Sequence, residues 1–186
     1  LMKKKLLLVF IVLLLQTGCS YTFSINSTED FIESVPHPNS TEILDKLQKE
    51  DYEVVFYEDE TGFRIGYKKS VDEYWTHTGN GEIDPGDGMD WVMFNNPKVP
   101  LTLFGGIITN DQITTVLVKQ KTIEKGATIV EISEGLRCWF VTFDALEEAD
   151  AGEPDPLKIE AFDSNGMFLW KEGVYEGGHF SGKISN

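Results

Sequence analysis

Residues 136–143, LRCWFVTF, limit this chain's fold more than any other stretch. The segment is short, rich in β-branched and aromatic residues, and follows the turn residues Ser133, Glu134 and Gly135, so it reads as a strand. Alternation puts Trp139, Val141 and Phe143 on one face and Cys138 and Phe140 on the other. A strand apolar on both faces has to be covered on both, which makes this one the expected centre of the fold.

The surrounding chain repeats strand and turn. Residues 52–57 and 63–67 flank Asp59, Glu60, Thr61 and Gly62 and read as a hairpin. Further strands are expected at 91–94, 101–109, 113–119 and 127–132, and 71–78 is ambiguous. Residues 157–162 and 167–171 form a last hairpin around Asp163, Ser164, Asn165 and Gly166. The segment AFDSNGMFLW there resembles the closing hairpins of small extracytoplasmic β-domains of Gram-positive bacteria. Helix is expected only near the front. Phe31, Ile32 and Val35 fit one turn before Pro36 and Pro38. Asn39 followed by Glu42 reads as a cap, with Ile43, Leu44 and Leu47 on one face of a helix over 39–50, the longest expected. The glycine-rich end, 173–186, is expected to be loosely held. The fold class is therefore α+β and β-rich: about eight strands, mostly antiparallel, with a short N-terminal helix and a sandwich as one way to stack the sheets.

Location is read from the start of the chain. Lys3, Lys4 and Lys5 precede an apolar run over residues 6–15, followed by uncharged Gln16, Thr17, Gly18 and Cys19. Spanning a bilayer takes roughly 20 apolar residues, whereas the core of a secretion signal needs only about 7 to 15. Leu15-Gln16-Thr17-Gly18-Cys19 resembles the lipobox of bacterial lipoproteins, although Gln16 stands where that family has leucine. The resemblance implies removal of residues 1–18, acylation of Cys19 (palmitate among the chains attached), and a domain held on the outer face of the cell membrane. Each buried CH2 of such an anchor contributes about 0.8 kcal/mol. Residues 19–30 then form the lipidated cysteine and a polar tether, and 31–186 a single extracytoplasmic domain, a length that suits one core and not two.

The charge narrows the partners. With 31 acidic and 16 basic side chains the net charge is −15, and losing the three leader lysines takes it to −18. Such a surface repels nucleic-acid phosphates, so no nucleic-acid role is expected. Solubility beside an anionic envelope accounts for the acidity, and attraction of cations or a basic partner is the functional reading. With Cys19 lipidated, Cys138 is left alone and is expected to pack as a small hydrophobe.

No stretch carries a catalytic signature. His37, His77 and His179 have neither metal nor triad spacing, and no glycine-rich phosphate loop is present. Residues 80–90 concentrate carboxylates between tight turns, which suits calcium. Set as an EF-hand from Asn80, however, the loop has Pro85 where glycine is needed and Trp91 where a bidentate glutamate belongs. A calcium site outside that motif would use Glu82, Asp84, Asp87 and Asp90; the plain alternative is a solvated acidic loop. Glu147, Glu148, Asp150, Glu153 and Asp155 form a second acidic cluster with the same two readings. Tyr74, Trp75 and His77 either line a ligand groove or pack in the core. The expected function is a non-enzymatic, membrane-anchored binding or interaction module with an envelope protein as partner and no required cofactor. The alternative is a cation-dependent hydrolase or a lipoprotein that binds calcium or another small ligand.

Overall fold

A computed structural model describes residues 26–132, 136–144, 146 and 156–184. The lipobox with Cys19 and the second acidic cluster, Glu147 to Asp155, lie outside the described residues. The chain divides into two units, Leu1–Phe31 and Ile32–Asn186. One helix, α1 (Asn26–Ser34), is present among the described residues, with Glu29 in its first turn, where a carboxylate suits the helix dipole. It stops before Val35, whose successor Pro36 disfavours helical backbone. The tether residues 26–30 are thus helical.

Among the described residues the second unit carries thirteen strands, more than the eight or so expected because several are short edge segments, in three antiparallel sheets. The first sheet joins β1 (Glu42–Gln48), β2 (Tyr52–Asp59), β3 (Gly62–Lys69) and β4 (Thr76–His77) in that order. The second sheet comprises β5 (Val92–Asn95), β6 (Thr102–Ile108), β9 (Thr128–Glu131) and β10 (Arg137–Phe143), ordered β5-β6-β10-β9. The third comprises β7 (Thr115–Lys119), β8 (Glu124–Gly126), β11 (Lys158–Phe162), β12 (Phe168–Tyr175) and β13 (Gly178–Lys183), ordered β13-β12-β11-β7-β8.

Strand β10 lies inside the second sheet between β6 and β9, and it is buried on both faces. Cys138 and Phe140 join Val54, Phe56, Phe63 and Ile65 of the first sheet in one apolar cluster. Trp139, Val141 and Phe143 join Val116, Val118, Ile159 and Trp170 of the third sheet in another. The alternation in residues 136–143 therefore marks the strand that contributes to both clusters. Opposite Trp139 and Phe140 of β10 the partner strand has no side chains, because Trp139 pairs with Gly106 and Phe140 with Gly105. A Cβ on Gly105 would overlap the Ile65 side chain, and one on Gly106 would overlap the Asp90 carbonyl. Close approach of neighbouring segments, not backbone twist, accounts for this glycine pair.

Two expectations fail. Residues 39–50 are not a helix, since Glu42–Gln48 forms β1 and pairs antiparallel with β2. The register slips between Ile43 and Asp45. A bulge of this kind turns two successive side chains to about the same side, so Leu44 and Leu47, three apart, both reach the first cluster. Their spacing mimics a helix face. The chain end is also not loose: β12 continues to Tyr175 and hairpins into β13 through Glu176 and Gly177. Gly177 and Gly178 adopt φ of +104° and +120°, which side-chain-bearing residues rarely do. On the outer face Lys171 Nζ sits 4.3 Å from the Tyr175 ring and 4.6 Å from that of Phe180, binding the last strand to its neighbour.

Candidate functional site

The 70–75 loop leaves β3 at Lys69 and returns as the edge strand β4. A turn fixes its start, where Asp72 N donates to Lys69 O at 2.9 Å. Between this loop and the Phe94 to Leu101 segment lies a groove of about 760 Å³. Tyr74, Trp75 and His77 all line it, beside Phe94, Pro100 and Leu101. Tyr74 is 80% exposed and Val71 88%, so these side chains contribute little to the core. Asp72, Glu73 and Lys69 are also on the wall. Lys68 Nζ sits 5.9 Å from the centre of the Trp75 ring and covers part of it.

His77 is built into the groove differently. Its Nδ1 lies 2.9 Å from Tyr57 Oη and its Nε2 lies 3.0 Å from Ser34 Oγ, so both ring nitrogens are engaged. Burial, with the Arg64 guanidinium adding to it, pushes the imidazole pKa down to about 4. Burial raises the Tyr57 hydroxyl as well. The ring is therefore neutral at pH 7 and too weakly basic to serve as an efficient proton acceptor. The line from serine to histidine to tyrosine resembles a triad in outline, but a neutral phenol occupies the place of the carboxylate. It holds the edge strand in position.

Behind β4, Asp59 anchors the same region. Its carboxylate accepts from Arg64 Nε at 2.8 Å and from Thr61 N at 2.8 Å, while Arg64 Nη1 donates to Thr78 O at 3.0 Å. Burial works to raise the Asp59 carboxyl, but the Thr61 and Arg64 interactions outweigh it and hold it below the usual range.

The acidic loop forms a second concavity. Glu82, Asp87 and Asp90 line a cleft of about 350 Å³ together with Trp91, Trp170 and Ser181; Asp84 is not part of its wall. The loop is tied to the second sheet: Asp90 N donates to Ile107 O at 3.0 Å, Thr109 Oγ1 to Pro85 O at 3.0 Å, and Trp139 Nε1 to Asp90 O at 3.2 Å. Asp90 Oδ2 is taken by the backbone N–H of Glu82 at 2.6 Å. Among the described residues no group of three or more acidic, histidine or cysteine side chains converges as metal ligands do. Cys138 is free and buried, and burial, with Asp45 contributing, pushes its thiol up to about 12, which leaves it unreactive.

Tyr74, Trp75 and His77 are legible as a group in the sequence because they sit within four residues of one another. Ser34 and Tyr57 are not legible as partners of His77, because no local pattern links them. Nor are Trp170 and Ser181, which strand pairing brings to the acidic loop from far along the chain. No protein-family model, curated protein or solved structure matches this chain. Among the described residues no helix is long and apolar enough to cross a membrane.

Proposed function

We propose that this chain is a lipid-anchored, extracytoplasmic binding module, non-enzymatic, built on a β-sandwich whose second sheet is the shared layer, with the Tyr74 and Trp75 groove as its binding face. The observation that carries this reading is the concentration of exposed apolar side chains on one wall. Val71 and Tyr74 stand in solvent beside Trp75, Pro100 and Leu101 around about 760 Å³ of open volume, a combination typical of recognition surfaces. The doubly engaged, neutral His77 favours binding over acid–base chemistry. The anchor rests on the leader and Cys19.

Crosslinking in intact cells, followed by mass spectrometry of the captured proteins, tests both halves. Wild type is expected to capture one abundant envelope protein, Tyr74→Ala to lose it while staying on the membrane, and Cys19→Ala to appear in the medium. Capture unchanged in a Tyr74→Ala, Trp75→Ala double variant would remove the groove from the proposal. Full membrane retention of Cys19→Ala would remove the anchor.

A further inference from the structure

The groove beside Tyr74 carries charge as well as apolar surface, and its charges are unevenly committed. Lys69 Nζ lies 3.8 Å from Asp144 Oδ1, and Lys68 Nζ sits over the Trp75 ring. His77 is neutral. Asp72 and Glu73, both exposed on the groove wall, have no ion-pair partner among the described residues. The lysines are engaged and the carboxylates face solvent, on a chain whose net charge is −15.

The walls also restrict the shape of an occupant. Strands β4 and β5 each end their sheet, and just past β4 the Gly79 N–H donates to Met93 O at 3.1 Å. Both edges supply the lining, through Thr76 and His77 of β4 and Phe94 of β5. A space of about 760 Å³ bordered by two strand edges suits a stretch of extended chain better than a compact small molecule. An acidic segment meets Asp72, Glu73 and the field of the whole chain and is repelled. A neutral apolar segment packs on Tyr74, Trp75 and Pro100 but leaves both carboxylates without a counter-charge. A segment with lysine or arginine beside apolar side chains does both, its cation reaching a carboxylate or the open face of Tyr74. Exposed ion pairs are weak, so the apolar contacts supply most of the affinity and the carboxylates decide which partner is accepted. We infer that the groove takes an extended peptide segment of its envelope partner in which lysine or arginine stands beside apolar residues, with Asp72 and Glu73 as the charge-selecting pair. The inference rests on the groove being the binding face and names what that face selects.

The test uses the full chain carrying Cys19→Ala, read by the Trp75 indole ¹⁵N–¹H signal, which is identified by its loss in Trp75→Phe. The probes are acetyl-Leu-Pro-Lys-Leu-Pro-Lys-amide and the same peptide with glutamine or glutamate in place of lysine, with phosphatidylglycerol vesicles as a comparison. The lysine peptide should shift the signal saturably and bind about fivefold more tightly than the glutamine peptide at low salt, with the glutamate peptide weakest. Sodium chloride at about 0.5 M should close the gap. In the double variant Asp72→Asn, Glu73→Gln, where both positions are exposed, the lysine and glutamine peptides should bind alike. Equal binding of all three peptides by wild type, or a lysine preference that survives the double variant, overturns the inference and leaves the groove standing as a binding face. Saturation by vesicles with no response to any peptide overturns it in favour of a membrane surface, and a shift on dilution alone in favour of a second copy of the chain. No response to any peptide up to about 5 mM overturns it as well; the groove itself is then judged by the crosslinking of the Tyr74→Ala, Trp75→Ala variant.

Discussion

The groove and the cleft are opposite solutions to making a concave surface on one β-rich unit. The groove is open and apolar, walled by a loop at the edge of the first sheet, and its residues fall in two nearby stretches of chain. The cleft is smaller and acidic, and it draws on the 82–91 loop and on β12 and β13. Exposed Tyr74 and Val71 contribute little to stability, so substituting them should change recognition and not folding. The cleft leans on the core, because the loop above it is stitched to β6 and to Trp139 of the shared strand.

The largest effect should come from removing the anchor behind the groove. Asp59→Ala leaves the 11%-exposed Arg64 without its carboxylate, and breaking such a buried pair should cost about 3 kcal/mol or more, measured by urea unfolding. A loss under about 1 kcal/mol would show that the groove does not depend on this pair. Gly106→Ala strikes the cleft instead, since its Cβ overlaps the Asp90 carbonyl. It should cost about 2 to 3 kcal/mol and loosen the 82–91 loop, read as faster amide exchange at Asp90, while 70–77 is unchanged.

Acid should separate the two regions next. The pKa of His77 is lowered in the folded protein, so its contribution to stability is complete above about 6.5 and is lost as pH falls toward about 4. Discounted for partial solvent exposure, the loss is on the order of 2 kcal/mol. Glu53 acts with the opposite sign: burial raises its pKa despite Lys46 and Lys68, so its contribution is lost as pH rises. His77→Gln should therefore flatten the stability difference between pH 7 and pH 4.5, and an unaltered slope would assign the effect elsewhere. The smallest effects concern the surfaces. Tyr74→Ala should shift unfolding by less than about 0.5 kcal/mol, and millimolar EDTA should leave the melting temperature unchanged. A clear drop with EDTA that calcium reverses would favour the calcium reading of Glu82, Asp87 and Asp90.

Legibility followed the range of the forces involved. The two-faced burial of β10 could be read because alternation within one strand reports both neighbouring layers at once. Tyr74, Trp75 and His77 could be read as a group because they are adjacent in the chain. Residues 39–50 were misread because Leu44 and Leu47 keep a helix-like spacing that a bulge also satisfies. Nothing local distinguishes the two. The glycines near the chain end look like loose coil, yet at Gly177 and Gly178 they supply the backbone geometry for the last hairpin.

Taken alone, the sequence determined the β-rich class, the central strand, the β2-β3 and β11-β12 hairpins and the acidity, since side-chain alternation, turn chemistry and charge are properties of short segments. Only the tertiary structure decided that sheets on both sides would bury β10, that Ser34 and Tyr57 would hold His77, and that Trp170 would help line the acidic cleft. Those are contacts between residues far apart in the chain. Their partners are chosen by strand pairing and by packing of whole faces, which no local pattern encodes.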